Sequence, residues 1–488
     1  MTAHRFVVAI TAAVDASGTE QTFYAATTGF TTCPTDTPAN TAIGPYLLNP
    51  GNYERSLFSG RRTFGAVSSN YGEVVLANHA GQFDALIDYG LDGRTFRLYY
   101  GPESAAFPAG YTLVLQCTML SADFGLDVVR IKLRDRLTLL DKPVLSQTFA
   151  GTGGVEGSSD MAGKLKPRLF GDTWFIPLVL LDRALNLYYA HTPAPLLPLF
   201  QPMVFDGGVQ LNRGSDYSST SDMISTAPEE GEYRCYTDGQ TYVRLGSTPA
   251  YTVFANSNGG SFSFQDAAIE AGISDAGSGA GTVVNCYVDD AYTRWIDVLN
   301  EQATPQRIAF GFDRLDQWQS LRFAAPSGSP VYTFDRHNCL SIVRRAPESS
   351  PLPVYRVHAT SGRVWINRPV LAPAANLDAY PWMARNYRTD LAANNGMQIK
   401  HRLAEAVEIT SVADVTQPAI DDFLTLFGTR RDQVTVEARF DPALLTLDLN
   451  DVVSVQWPRF GYNAGKLFRV IAQRVDFSTN RLQFTLWG

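Results

Sequence analysis

Six histidines, His4, His79, His191, His337, His358 and His401, are the side chains best suited to hold a metal or move a proton, and they are scattered with no HExxH or HxH spacing. His337 and Cys339 could share a metal ion, but two ligands on a strand are incidental without a third and a fourth. Asp289-Asp290 and Glu229-Glu230 are adjacent carboxylates. Neighbouring side chains in a strand or loop point apart, so a helix cap and a solvated turn are expected of them rather than an acid/base pair. No GxSxG elbow or Cys/His nucleophile signature occurs. The five cysteines, Cys33, Cys117, Cys235, Cys286 and Cys339, are odd in number, far apart and without a CxxC, which indicates neither a disulfide framework nor a zinc knuckle. A reducing cytoplasm during synthesis is the default that follows. No catalytic, cofactor-binding or metal-binding residue is assigned and no cofactor is expected; a carboxylate pair assembled only by folding stays open.

The glycine-rich stretch Gly151-Thr152-Gly153-Gly154-Val155-Glu156-Gly157, running to Gly163-Lys164, invites two phosphate-binding readings, and both fail. Gly157 to Gly163 is one residue too long for a P-loop, Leu165 stands where Ser or Thr would hold magnesium, and Glu156 takes the third glycine's place in GxGxxG. A flexible connector is expected there.

The elements that would position any site are mostly strands. A chain of 488 residues is too long for one core and suggests three or four domains. Abundant Gly and Pro with only 18% charged residues fit a β-rich protein with many turns. A net charge of -8 argues against nucleic-acid binding, which needs a basic face to release counterions. No apolar run approaches the ~20 residues of a membrane span.

The stretch Asp451 to Gly488 organises the chain. Val452, Val453 and Val455 read as a strand, and alternation on both sides of Ser478-Thr479-Asn480 reads as a hairpin whose end, Trp487-Gly488, is built into a packed sheet. Phe468, Val470 and Ala472 would face Leu482, Phe484 and Leu486, with Arg469, Arg474, Arg481 and Gln483 on the other side. Leu115 to Leu133 lies on Phe468 to Leu486 without a gap, placing Asp123-Phe124 on Asp476-Phe477, Cys117 on Val470, Val129 on Leu482, Ile131 on Phe484 and Leu133 on Leu486. A one-residue slip would turn every apolar side chain to the wrong face. An internal duplication is therefore expected, chance similarity of two amphipathic hairpins being the alternative.

His4-Arg5 followed by FVVAITAAV imitates a short signal peptide, but Thr11 and the turn Asp15-Ala16-Ser17-Gly18, followed by alternation from Thr22 to Thr28, favour a first strand pair. Gly72 to Ala77 and Arg94 to Tyr100 read as strands, with Gln82 to Tyr89 a short helix or turn between them and Leu91-Asp92-Gly93 setting the second strand's start. Residues 1 to about 140 would make a barrel-like β-domain. Phe175 to Tyr189 is apolar, Asp206-Gly207-Gly208 and Asp238-Gly239 are hairpin turns, and Pro193 to Pro198 is an extended link. Asp289 or Asp290 would cap a helix carrying Trp295, Val298 and Leu299, on which strands Arg307 to Phe312, Ser320 to Phe323 and Val331 to Phe334 should pack. Thr416 caps a second helix with Pro418 in its first turn, Ile420, Phe423, Leu424 and Phe427 as its stripe and Gly428 at its end, leading into a strand from Gln433 to Phe440. The Pro/Ala-rich run Pro369 to Pro381 is read as a crossing between domains. The expected division is 1–145, 146–250, 251–368 and 369–488.

Several short motifs follow one another in an order that resembles a family. They are Gly153-Gly154-Val155-Glu156-Gly157 with Lys164-Leu165-Lys166-Pro167, Tyr188 after a strand, Asp206-Gly207-Gly208-Val209 and Arg244-Leu245-Gly246. Trp295-Ile296-Asp297-Val298-Leu299, Gly311-Phe312-Asp313-Arg314-Leu315, Pro458-Arg459-Phe460-Gly461, Gly465 to Val470 and Thr485 to Gly488 continue the series. In this order they resemble the tail-tip or baseplate hub proteins of long-tailed bacteriophages and gene-transfer particles. The resemblance implies a mainly β, multidomain fold with minor α, in which two similar β-barrel domains of tail-tube type carry inserted β-rich and α+β domains. It implies a homotrimer in the virion, without enzymatic activity, that joins a sixfold tail tube or distal tail ring to threefold spike or fibre components and meets the tape-measure protein. Viral DNA would pass its lumen without specific binding, and the acidic balance is compatible with that. Some hubs hold an iron-sulfur cluster through clustered cysteines; this chain lacks such a cluster of cysteines, so none is carried over. A receptor-binding fibre or adhesin would show aromatic sugar-binding clusters or long repeats, and a tail-borne cell-wall hydrolase a paired carboxylate or a metal site.

Overall fold

The computed structural model describes residues 3–58, 64–192, 202–258, 261–277, 282–346, 352–367, 369–394, 396–477, 479 and 481–488. It is mainly β with a few helices, and its contacts divide the chain into two compact units. The first gathers residues 1–139, 308–352 and 430–488; the second gathers 140–307 and 353–429.

Two large sheets dominate the first unit. In one, the strand order is Glu20–Ala26, His4–Ala13, Thr95–Pro102, Thr112–Phe124, Val128–Arg134, Glu73–Ala77 and Leu47–Asn49, each antiparallel to its neighbours. Arg5 to Ala12 are all buried, which explains why this run reads as continuously apolar: the strand is covered on both faces. The expected first strand pair is present, with Val7 opposite Ala26 and Ala13 opposite Glu20, and the Asp15 carboxylate accepts the Ser17 and Thr19 N–H groups in the turn. The sheet curls toward a barrel. Ala26 donates its N–H to Gly44 C=O at 3.0 Å and Ala77 to Tyr46 C=O at 2.7 Å, so the segment 42–49 spans from one edge strand to the other.

The other sheet runs Tyr332–Phe334, Val452–Val455, Lys466–Asp476, Arg481–Trp487, Gln433–Ala438, Cys339–Arg345. Trp487 is fully buried, and Gly488 exchanges two backbone hydrogen bonds with Asp432 at 2.7 and 3.0 Å. Ile308–Phe312 pairs with Trp318–Arg322 and, in parallel, with Gly65–Ala66. These strands and Tyr332–Phe334 were expected to pack on the helix at Trp295; their ladder partners instead lie in the first unit, whereas that helix belongs to the second.

The second unit holds smaller sheets. Asp172–Pro177, Val253–Asn258 and Met203–Asp206 pair in that order, and Val179–Asp182, Leu187–His191, Thr241–Leu245 and Glu232–Thr237 form another, with the expected Asp206 and Asp238 turns in place. The link expected at Pro193 to Pro198 lies outside the described residues. Val354–Arg363 sits between Tyr387–Asn394 and Glu405–Ser411, and the helix Gln417–Phe427 packs on it. That helix buries Ile420, Phe423, Leu424, Leu426 and Phe427 and ends at Gly428 as expected; each such side chain is worth about 1.5–3 kcal/mol of burial. The helix Trp295–Gln306 is capped differently. The Asp297 carboxylate takes the Arg294 N–H at 3.2 Å, while Asp290 takes the Tyr292 N–H at 2.9 Å one turn earlier. The Pro/Ala-rich run lies within the second unit, where Leu371, Tyr380 and Trp382 pack on Phe175, Phe205 and Phe254.

Candidate functional site

The residue types able to do chemistry are dispersed. Cys339 is buried, its thiol pushed up to about 12 by that burial, with Sγ directed to Asn338 Oδ1; the His337 N–H closes a turn on Asp335. His191 is fully buried with Nε2 2.7 Å from Ser257 Oγ, and burial pushes its pKa down to about 3. Glu229 and Glu230 are exposed. Burial raises the pKa of Asp289, and the charge of its neighbour Asp290 adds to the rise. Among the described residues no three His, Cys, Asp or Glu side chains are grouped as metal ligands. The glycine-rich link is a closed turn rather than a loose connector. Gly153 donates to Gly157 C=O at 2.7 Å, and the Glu156 carboxylate takes the Ala150 N–H at 2.9 Å and Lys166 Nζ at 2.7 Å. The anion that fills this loop is the chain's own.

What the first unit does bring together is a repeated module. Across one sheet the strands His4–Ala13, Thr95–Pro102, Thr112–Phe124, Val128–Arg134, Glu73–Ala77 and Leu47–Asn49 occupy the places held in the other by Tyr332–Phe334, Val452–Val455, Lys466–Asp476, Arg481–Trp487, Gln433–Ala438 and Cys339–Arg345. In the chain Glu73–Ala77, Thr95–Pro102, Thr112–Phe124 and Val128–Arg134 follow one another as Gln433–Ala438, Val452–Val455, Lys466–Asp476 and Arg481–Trp487 do, each set with a 3-10 helix after its first strand, Asp84–Asp88 in one and Pro442–Thr446 in the other.

Irregularities repeat as well. The edge pairing breaks register between Leu47 and Asn49 in one module and between Cys339 and Ser341 in the other, and the bulged residues Leu48 and Leu340 are 56% and 57% exposed. The long hairpins break register between Met119 and Ser121 and between Val470 and Ala472. Before each hairpin's first partner strand stands the same turn, with Gly93 at φ +70° and Asn450 at φ +71°. Gly93 N–H donates to Met119 C=O and Met119 N–H to Arg94 C=O; Asn450 N–H donates to Val470 C=O and Val470 N–H to Asp451 C=O. Bulges and left-handed turn residues are specific backbone devices, so their recurrence at matched positions marks duplication, not two hairpins of like length. One difference stands out: Tyr332–Phe334 runs parallel to its neighbour where His4–Ala13 is antiparallel.

The gapless alignment expected from sequence is two residues out on one strand. Superposing the bulges puts Leu120 on Ile471, Cys117 on Phe468, Met119 on Val470 and Phe124 on Val475, while Val129, Ile131 and Leu133 match Leu482, Phe484 and Leu486 as expected. The first hairpin closes with Gly125 N–H on Val128 C=O, whereas the second passes from Asp476 to Arg481, a loop two residues longer. A slip of two restores the facing of every side chain, so the apolar phase agreed although the residues did not. The bulge at Ile471 also moves Ala472 off the apolar face; Gln473 and Val475 are buried in its stead.

An arm joins the modules. Leu47–Asn49 and Glu73–Ala77 belong to the first sheet, but past Gly51 and Gly72 the same antiparallel hairpin continues as Asn52–Ser56 paired with Ser68–Tyr71, and Asn52–Ser56 adds to Lys466–Asp476 of the second sheet. At Gly51, φ +91°, a side chain would meet the Glu73 carbonyl at 3.4 Å. Arg55 locks the arm: its side chain is 2% exposed, and its guanidinium donates to Asp448 Oδ1 and to the Phe312 carbonyl. Asp448 Oδ2 accepts the Arg314 N–H at 2.8 Å, and Arg314 Nη1 reaches the Leu113 carbonyl at 2.7 Å, so the loop after Ile308–Phe312 touches both modules. Phe477 stacks edge-on against Phe6, centroids 5.3 Å apart, and packs against Tyr53 at 5.9 Å. Beside Arg55 is a cavity of about 270 Å³ lined by Asp313, Asp448 and Asp451; burial raises the pKa of Asp313 and Asp451. Sequence reasoning missed the arm and its arginine, since the ion pair spans 393 positions and the local signals are Gly51 and Gly72, the second read there as a strand start.

No family model matches the chain, and no curated protein matches it. Among solved structures it is similar to a tail protein from Neisseria meningitidis, over 99% of this chain and 95% of that one, with a TM-score of 0.41 at 8% identity. It is similar to the 43 kDa tail protein of a Shewanella oneidensis prophage, over 99% and 98%, with a TM-score of 0.38 at 7% identity. It is also similar to a chain of the native gene transfer agent virion, over 67% and 84%, with a TM-score of 0.42 at 12% identity.

Proposed function

We propose that this chain is a structural virion protein, the central hub of a phage tail tip or baseplate. In this reading three copies form a ring, join the sixfold tail tube or distal tail ring above to threefold spike or fibre components below, and gate the lumen for DNA ejection. The observation that supports it is the duplicated module. One polypeptide with two modules of the same path, bulges and turn offers two near-equivalent positions, so a threefold assembly offers six. The motifs that resemble hub proteins, Gly311 to Leu315 among them, include the loop that touches both modules.

In this reading the two modules, drawn from 1–139, 308–352 and 430–488, are the ring-forming parts, and 140–307 and 353–429 are insertions they carry. The arm holds the two modules at a fixed spacing, which a ring needs if its six positions are to remain equivalent. The role is mechanical: engagement below is passed through the modules to the tube, and the chain's acidic balance is compatible with DNA sliding through the lumen without adhering. The test is mass and symmetry. The purified 53.5 kDa chain should assemble as a trimer of about 160 kDa, and averaged micrographs should show a ring with six similar lobes and true threefold symmetry. A stable monomer at micromolar concentration, or a ring of another order, would overturn the proposal.

A further inference from the structure

The two modules differ at one edge. In the second, the outer side of the hairpin strand past its bulge is occupied: Ala472 to Asp476 pair antiparallel with Asn52–Ser56, and Leu57 N–H donates to Ile471 C=O at 2.9 Å. The equivalent stretch of the first module, Leu120 to Phe124, pairs on its inner side with Val129 to Lys132, and among the described residues no strand lies along its outer side. In an antiparallel ladder the outward backbone groups alternate; here they are those of Leu120, Ala122 and Phe124, the counterparts of Ile471, Gln473 and Val475. The side chains register the difference. Ile471 is 5% exposed and Leu120 45%; the tip residue Phe477 is 4% exposed and Leu126 94%.

We propose that a second copy of this chain completes this edge, adding a strand antiparallel to Leu120–Phe124 as Asn52–Ser56 adds to the second module. The inference rests on the trimeric reading above. Its warrant is that the same edge is already filled once within the chain, by the arm of one module laid on the hairpin of the other. A ring that alternates modules must make that contact again between chains. The second module projects the start of an equivalent arm: Arg344 opposite Val434 and Arg345 opposite Gln433 hold the ladder places of Asn52 opposite Gly72 and Tyr53 opposite Tyr71. Exposed backbone groups with apolar neighbours on an edge are a template for strand addition, and Leu120 and Leu126 would be covered as Ile471 and Phe477 are.

The experiment compares the full chain with Leu120→Lys/Leu126→Lys, both changed side chains being exposed. Analytical ultracentrifugation over a concentration series gives assembly, circular dichroism and thermal unfolding check the fold, and hydrogen exchange reads the Ala122 and Phe124 amides. The expected result is slow exchange at both amides in the assembled full chain. Self-association of the variant should weaken on the order of a hundredfold, with folding unchanged. If the variant misfolds, the exchange measurement on the unaltered chain decides alone. An assembled chain whose Ala122 and Phe124 amides exchange as freely as in the dissociated chain overturns this edge while leaving the trimer standing. A chain that never assembles overturns both.

Discussion

Arg55→Met is the substitution on which the account of the arm can be judged. Methionine keeps much of the aliphatic stem but removes the charge, leaving Asp448 without its guanidinium and the Phe312 carbonyl without its donor. Removing one partner of a buried ion pair costs about 3–5 kcal/mol, because the other charge stays desolvated. Asp448 is 20% exposed and keeps the N–H groups of Arg314 and Leu449, at 2.8 and 2.7 Å, so the low end of that range applies. An expected loss of about 3 kcal/mol corresponds to roughly 6–12 °C in the melting temperature of a unit of this size. Calorimetry reads the shift, and hydrogen exchange across Ala472 to Asp476 reports whether the arm has come away. In Arg55→Met/Asp448→Asn the losses should be less than additive, since the second change neutralises the stranded carboxylate. The reasoning is refuted if Arg55→Met shifts the transition by less than about 2 °C, which is under 1 kcal/mol, or if the arm amides are as protected as before.

Three further outcomes follow from single sites. His191 stays neutral in the fold down to about pH 3, whereas its unfolded form takes a proton below about 6.5. The unfolded state then binds the extra proton, so stability is complete above that pH and falls below it by up to about 1.4 kcal/mol per pH unit; urea midpoints between pH 7.5 and 5 should show the slope, and His191→Gln should flatten it. His358 has the opposite sign: its hydrogen bond to Glu408 and the charges of Asp390 and Glu408 raise its pKa, so its contribution is present at low pH and lost as pH rises through the folded value. Imidazole NMR should show that titration above the ordinary histidine value and a downward move in Glu408→Gln; an unmoved curve would remove Glu408 as the cause. Gly93→Ala should cost about 1–2 kcal/mol from its positive φ alone, since nothing lies within 4 Å of the added carbon; an unchanged urea midpoint would contradict the strain assigned to this turn.

The alternation in Arg481–Trp487 and Val128–Arg134 made the second strands of both hairpins legible, because strands without a bulge display a strict period of two. The first strands were misplaced by two because the second hairpin's loop is two residues longer, and a shift of two keeps the apolar phase and leaves no trace in the pattern. The helix Gln417–Phe427 was plain because cap, proline, stripe and glycine all lie within one segment. Ile308–Phe312 went to the wrong neighbour because a ladder partner such as Gly65–Ala66 has no signature in two residues. The arm was invisible for a related reason. Asn52-Tyr53-Glu54-Arg55-Ser56 alternates polar and buried side chains like any edge strand, and nothing in it names a partner hundreds of positions away. Arg55 itself reads as a surface cation until the fold closes over it.

Ser56 meets Ala472, a residue made 416 positions later. At a translation rate of roughly 5–20 residues per second, the arm is out of the ribosome for about 20–80 s before its partner strand exists. For that interval the nascent chain carries a bare strand edge with no native mate, which is the condition under which chaperone capture or aggregation competes with folding. Loop closure over so long a span is also slow. Completion of the first unit is thus a late, whole-chain event, and yields of the intact protein should depend on growth temperature and chaperone supply more steeply than yields of residues 140–307 and 353–429 joined by a short linker.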